Sequence, residues 1–248
     1  YLLFFITGLF FSMVGMGGGS VYVPFFTLLG FDVKSMAIPG GIFLVFITGL
    51  SSSINYIFHK QINYKIAVPI LIGSISASLF SQLIFYRQAE SKVLFLILCI
   101  CIFISGLRFL ALPENFAQYP LKTQKSVWMT GILMGWIVGF ISVMTGIGGG
   151  FLMVPALVHL AYPVKEAVGT SAFVILFTSL LGFILHFFST FDKTQFPGLL
   201  LFGLVVFAGA LIGSKINATR LKSSSVRGLI GFALTALGVY FFIREFLF

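Results

Sequence analysis

Charge is what this sequence has least of. Only 8% of its 248 residues are charged, and only six are Asp or Glu. A chain so poor in charge, and 59% hydrophobic, cannot cover itself with a water-compatible surface. The shortage of acids also removes classes of chemistry. No acidic residue stands at the centre of an apolar run, so paired-carboxylate catalysis lacks its groups. Gly-x-Ser-x-Gly and His-Glu-x-x-His are both missing, and an enzyme is not expected. Without a Gly-x-x-x-x-Gly-Lys-Ser/Thr stretch the chain has no ATPase module of its own. The two cysteines, Cys99 and Cys101, point roughly 200° apart on a helix, so they form neither a bridge nor a metal or redox framework. No cofactor is expected.

What the chain does have is long apolar sequence. A mean hydropathy of +1.12 and 248 residues suit about eight apolar segments of roughly 20 residues, the signature of an all-α, polytopic helical membrane protein. The formal charge of +9 comes from basic residues lying between these runs. That pattern fits orientation in a bilayer and not nucleic-acid binding. The first apolar run leads into a glycine cluster, not a small-residue cleavage site, so no signal peptide is expected.

One stretch occurs twice. Val14-Gly15-Met16-Gly17-Gly18-Gly19-Ser20, with Pro24 beyond it, returns as Thr145-Gly146-Ile147-Gly148-Gly149-Gly150-Phe151, with Pro155 beyond it. Gly15 to Gly146, Pro24 to Pro155 and Lys34 to Lys165 are all separated by 131 positions. Such a repeat marks an internally duplicated membrane protein. A triple glycine breaks a helix, and within a bilayer the freed backbone groups must face protein, water or a ligand. Close helix packing is the plainer use of the same glycines.

The apolar pattern predicts helices over 1–14, 20–29, 36–58, 64–86 and 92–110, then a polar linker over 111–125. It resumes with helices over 126–144, to about 161, and over 166–189, 196–217 and 225–246. The organisation expected is a first membrane repeat, 1–110, the linker, 111–125, and a second repeat, 126–248. Residues 20–29 would rise only about 15 Å, half the hydrocarbon thickness. Each glycine cluster therefore either kinks one long crossing or turns the chain back as a re-entrant hairpin. If every segment crosses, Lys and Arg split seven to eight; if the glycine units return, they split ten to five. The second split follows the positive-inside rule and puts the linker in the cytoplasm. It also makes the halves two inverted repeats, each a glycine-broken hairpin plus three crossings. Residues 126–144, however, are long enough to cross alone.

Helices that begin after Gly19 and Gly150 aim their N-termini into the membrane interior, where N–H groups and about half a positive charge suit an anion. With no Lys or Arg inside an apolar run, the site expected is one of dipoles and hydroxyls. Its candidates are Gly17, Gly18, Gly19 and Ser20 (read as a helix cap), Asn55, Gly148, Gly149, Gly150, Thr170 and Ser171. Thr48, Ser52 and Ser179 lie in the following helices, where a hydroxyl ordinarily bonds back to its own helix. His186, the repeat equivalent of Asn55, is a candidate for proton coupling.

The two glycine motifs, Gly15 to Pro24 and Gly146 to Pro155, together with Val-Lys-Glu-Ala-Val-Gly-Thr-Ser at Val164 to Ser171, resemble the TauE/SafE family of permeases. The resemblance covers essentially the whole chain. It implies inner-membrane transport, commonly export, of small sulfur-containing anions such as sulfite or organosulfonates like sulfoacetate. In the first half Met36-Ala37-Ile38-Pro39-Gly40-Gly41 replaces the expected Ala-x-Gly-Thr-Ser, so the halves need not contribute equally. The expected partners are the bilayer and a small organosulfur or inorganic anion, with a homodimer as a candidate assembly and no nucleic acid. A passive anion channel is the alternative.

Overall fold

The computed structural model describes residues 1–85, 123–226, 228–232, 235–236 and 239. Its helices are α1 (Leu2–Val14), α2 (Gly19–Leu28), α3 (Ile38–Phe58), α4 (Tyr64–Phe80), α5 (Gln124–Thr145), α6 (Gly150–His159), α7 (Val164–Ser189) and α8 (Phe196–Thr219). The helix expected over 92–110 and most of the linker lie outside the described residues, as does part of the last helix.

Among the described residues, five spans are long and apolar enough to cross a membrane: Val33–Phe58, Tyr64–Ile84, Gln124–Thr145, Val164–Ser189 and Lys193–Thr219. The shortest, with 21 residues, rises about 32 Å, which matches the hydrocarbon core. The chain is therefore a polytopic helical membrane protein. The span containing α3 starts earlier than hydropathy alone predicts. Asp32 accepts hydrogen bonds from the Lys34 and Ser35 amides (3.1 and 2.8 Å), so a wide turn over Val33–Ala37 runs straight into α3.

The glycine clusters turn the chain back on itself. Phe4, near the start of α1, meets Phe25 (5.0 Å between ring centroids) and Phe26 (5.5 Å), near the end of α2. Such contacts require α2 to return alongside α1. In the second unit a Cβ placed on Gly149 would lie 2.0 Å from Val138 Cγ1. A continuous helix would separate those two residues by about 16 Å, so α6 starts folded back on α5.

Packing is reciprocal between the halves. α1 packs on α8 and α4 on α5, which are equivalent pairings under the 131-residue shift, and α3 packs on its own equivalent, α7. Direction follows from where the glycines touch. Gly209 faces Phe5 and Gly213 faces Leu9, so α1 and α8 run parallel. Gly135 faces Ile70 and Gly139 faces Ser74, so α4 and α5 do too. Gly49 faces Leu176 while Gly182 faces Ile42, so α3 and α7 run antiparallel. Small residues let these backbones approach where lipid offers no hydrophobic drive for association.

The two ends of the bundle differ in charge. One end joins the α3–α4 loop to the start of α7 through the Asn63 amide donating to Thr170 Oγ1 (2.9 Å). It carries Lys60, Lys65, Lys125, Lys165, Lys215, Arg220 and Lys222. Among the described residues, the other end, where the Asp192 amide donates to Ser35 O (3.0 Å), carries Lys34 and Lys193.

Candidate functional site

The two hairpin tips meet inside the bundle. A Cβ on Gly19 would lie 2.4 Å from Ile147 O and 2.5 Å from Gly146 O. A Cβ on Gly150, the repeat equivalent of Gly19, would lie 2.5 Å from Gly15 O and 2.7 Å from Met16 Cα. No side chain fits at either place. For Gly19 and Gly150, close packing is thus a demonstrated role. Gly17 (φ +81°) and Gly148 (φ +83°) take left-handed backbone, which reverses the chain at each tip and which L side chains rarely adopt. Both face Val45 of α3, at about a third of the way along that helix.

From these turns the short helices open. The first backbone bonds in α2 run from the Val21 and Tyr22 amides to Gly18 O, and in α6 from Leu152 and Met153 to Gly149 O. The N–H groups ahead of them have no partner within their own helix, as at any helix start. Ser20 is not the cap that the sequence suggests. Gly18, in left-handed conformation, holds that position and Gly19 is already helical, so Ser20 is the second residue of α2 and is buried.

The predicted polar residues separate into three groups. Thr48, Ser52 and Ser179 donate to carbonyls of their own helices, Leu44 O, Thr48 O and Ile175 O respectively, as hydroxyls in helices ordinarily do. Thr170 and Ser171 instead reach across. Ser171 Oγ donates to Gly15 O at 2.8 Å, and Thr170 accepts from the α3–α4 loop. Asn55 and His186 do not come together, because antiparallel α3 and α7 carry them to opposite ends. Asn55 donates to Leu211 O and Ser214 Oγ on α8 (3.0 and 2.8 Å).

His186 is fully buried, with Nε2 3.4 Å from Val143 O and Nδ1 3.2 Å from Thr190 Oγ1. A carbonyl only accepts, which assigns the proton of the neutral ring to Nε2 and leaves Nδ1 accepting from Thr190. Its counterpart in the first half is Tyr56, not Asn55. Tyr56 Oη donates to Ser12 O (2.8 Å), and Ser12 and Val143 are equivalent positions.

Sequence reasoning missed several of the groups around the first tip. Asn217 of α8 donates to Met13 O, and Tyr22 lays its ring on Gly18. Because the Thr48 hydroxyl is used on Leu44 O, the Tyr22 hydroxyl donates to Thr48 Oγ1 (3.2 Å). The signal for the glycine contacts was present: Gly131, Gly135 and Gly139 recur at four-residue spacing, as do Gly209 and Gly213. No comparable pattern marks Tyr56 or Asn217.

The buried hydrogen-bonding side chains among the described residues are Ser, Thr, Asn, His and the hydroxyls of Tyr22 and Tyr56, none of them a Lys, Arg, Asp or Glu. Formal charge is confined to the ends. There Asp32 is held below the usual carboxylate range by the Ser35 amide and hydroxyl, and Asp192 by the Thr194 hydroxyl and amide. Glu166 accepts from Asn63 Nδ2 in the first turn of α7, where a carboxylate complements the helix dipole. The interior offers helix N-termini, amides and hydroxyls, which hold a small anion without a fixed counter-charge.

Residues 1–241 match the family described as Sulfite exporter TauE/SafE. The chain is 33% identical over 238 residues to the Probable membrane transporter protein YunE of Bacillus subtilis (strain 168), covering 86% of this chain and 84% of that one. It is 29% identical over 248 residues to the Probable membrane transporter protein MJ0441 of Methanocaldococcus jannaschii, covering 92% and 91%. No solved structure matches the chain. With five helices among the described residues long and apolar enough to cross a membrane, this match over nearly all of its length places the chain in the TauE/SafE family, as a membrane transporter and not an enzyme.

Proposed function

We propose that the protein is a secondary transporter that exports small sulfur-containing anions, such as sulfite or organosulfonates of the sulfoacetate type. One observation carries the reading: equivalent glycine turns from the two halves meet inside the bundle, and a helix N-terminus opens from each. The anion is held there by the N–H groups around Gly17–Ser20 and Gly148–Gly150, with Thr170 and Ser171 lining the approach from the basic end. The antiparallel α3–α7 pair and the parallel α1–α8 and α4–α5 pairs support two inverted repeats, 1–110 and 126–248, that move against each other. Among the described residues, seven Lys and Arg at one end against two at the other support a cytoplasmic linker, 111–125, in a cell inner membrane. Those cations also raise the local concentration of anions on the side from which export begins.

Flux of labelled sulfite and sulfoacetate into proteoliposomes, with and without an imposed pH gradient, tests the reading. Saturable flux with counterflow is expected. Flux that never saturates would replace the transporter with a channel, and flux of neither anion would remove these substrates. A response to the gradient makes His186 the next target, as the one buried imidazole in a crossing helix among the described residues.

A further inference from the structure

We propose that Val45 is the size filter of the transport route. The inference rests on the reading that anions pass between the two glycine turns. Cβ positions built on Gly17 and on its equivalent Gly148 lie 2.9 and 3.0 Å from the same atom, Val45 Cγ1. One methyl group therefore occupies the place where the two left-handed turns face each other. From the other side Ile175 of α7 closes the gap, 3.5 Å from the Gly17 Cβ position and 2.6 Å from that of Gly150. Val45 and Ile175 are each only 1% exposed, and they stand on α3 and α7, the antiparallel pair at the centre of the bundle.

An anion that bonds to N–H groups of both short helices must lie between the turns, and in this conformation Val45 fills that space. Opening the turns for a substrate therefore moves Val45 first, and its volume limits how large an anion the gap accepts. A β-branched side chain suits this role. It has one preferred χ1 on a helix, so it cannot swing aside as Leu or Met could. Glycine at 17 and 148 follows from the same arrangement, since a side chain at either would fill the gap that Val45 now tunes.

The test compares flux of sulfite with that of the larger sulfoacetate in proteoliposomes carrying wild type, Val45→Ala or Val45→Ile. Removing two methyl groups should shift the flux ratio about tenfold toward sulfoacetate, the discrimination such groups supply in a pocket, and Val45→Ile should shift it the other way. A ratio unmoved in both variants, or both anions changed by one common factor, overturns the filter. A second measurement needs no known substrate. In a Cys99→Ala/Cys101→Ala background, Val45→Cys should react with a sulfonate-bearing methanethiosulfonate far faster than Ile70→Cys, which is buried between α4 and α5. Equal rates would take Val45 off the route. Fast labelling with no flux of either anion would keep Val45 on the route and sink only the organosulfur substrates.

Discussion

The two hairpin tips share left-handed turns at Gly15 and Gly146 and at Gly17 and Gly148, part at Gly18 (φ +82°) and Gly149 (φ −77°), and differ in what holds them. In the first, side chains from three helices bond three carbonyls at the end of α1: Tyr56 to Ser12 O, Asn217 to Met13 O and Ser171 to Gly15 O. In the second, His186 bonds Val143 O, the equivalent of Ser12 O. The equivalent of Ser171 is Gly40, which has no hydroxyl, and beside it a Cβ on Gly41 would come within 3.5 Å of Gly146 O. Both tips thus keep the part that only glycine can provide, while their anchoring groups differ. The interlocked turns are a steric requirement with one solution, while a carbonyl can be satisfied by a phenol, an amide, a hydroxyl or an imidazole.

The largest effect should come from the shared part. Gly19→Ala and Gly150→Ala each drive a methyl into opposing backbone, which cannot swing away as a side chain end can, and should cost at least about 3 kcal/mol, the upper end of overpacking. Melting of the purified protein in detergent should show a large, similar fall for both, and little for Gly198→Ala, where nothing lies within 4 Å. Unequal falls would break the equivalence of the two tips. Next come the anchors of the first tip. Ser171→Ala and Tyr56→Phe each leave a buried carbonyl unsatisfied, a loss of about 1–3 kcal/mol readable in the same melt.

His186 sharpens the comparison, because the anchor reading and the proton reading separate there. His186→Gln retains an N–H donor for Val143 O but cannot titrate. The expected result is a folded protein with little change in melting temperature whose flux no longer responds to a pH gradient. An unchanged response would leave His186 as the second tip's counterpart of Tyr56 and nothing more. The smallest effect lies at the exposed turn before α3. Asp32→Ala should lower the melting temperature slightly at pH 7. Since the folded-state pKa of Asp32 is depressed, its contribution is complete above the ordinary carboxylate value near 4 and fades as pH falls through the folded-state value. The difference between wild type and variant should therefore close in acid and persist at neutral pH.

Much of the architecture was legible in advance because a bilayer constrains sequence so tightly. Apolar runs marked the spans, and the 131-residue shift identified the equivalent elements. Charge placement favoured hairpins over kinked crossings, and the Phe4 contacts with Phe25 and Phe26 bear that out for the first unit. The site was less legible. Glycine at 17–19 and 148–150 was visible, but whether each faces a ligand or an opposing backbone depends on contacts more than a hundred residues apart. The helix cap was placed two positions late, at Ser20, since Gly18 can adopt a left-handed cap that a side-chain-bearing residue would resist. Asn55 and His186 matched in the alignment of the halves, yet antiparallel packing of α3 and α7 separates them.

The sequence by itself determined the class, the recurrence of the glycine motif at a shift of 131 and the positions where the helix must break, because hydropathy, motif spacing and the entropy of triple glycine are properties of the chain. Only the tertiary structure decided that the breaks interlock, that Tyr56 and not Asn55 answers to His186, and that Val45 stands between the two turns. These are outcomes of how closely backbones can approach, which depends on the shape of both partners and is written in neither one alone.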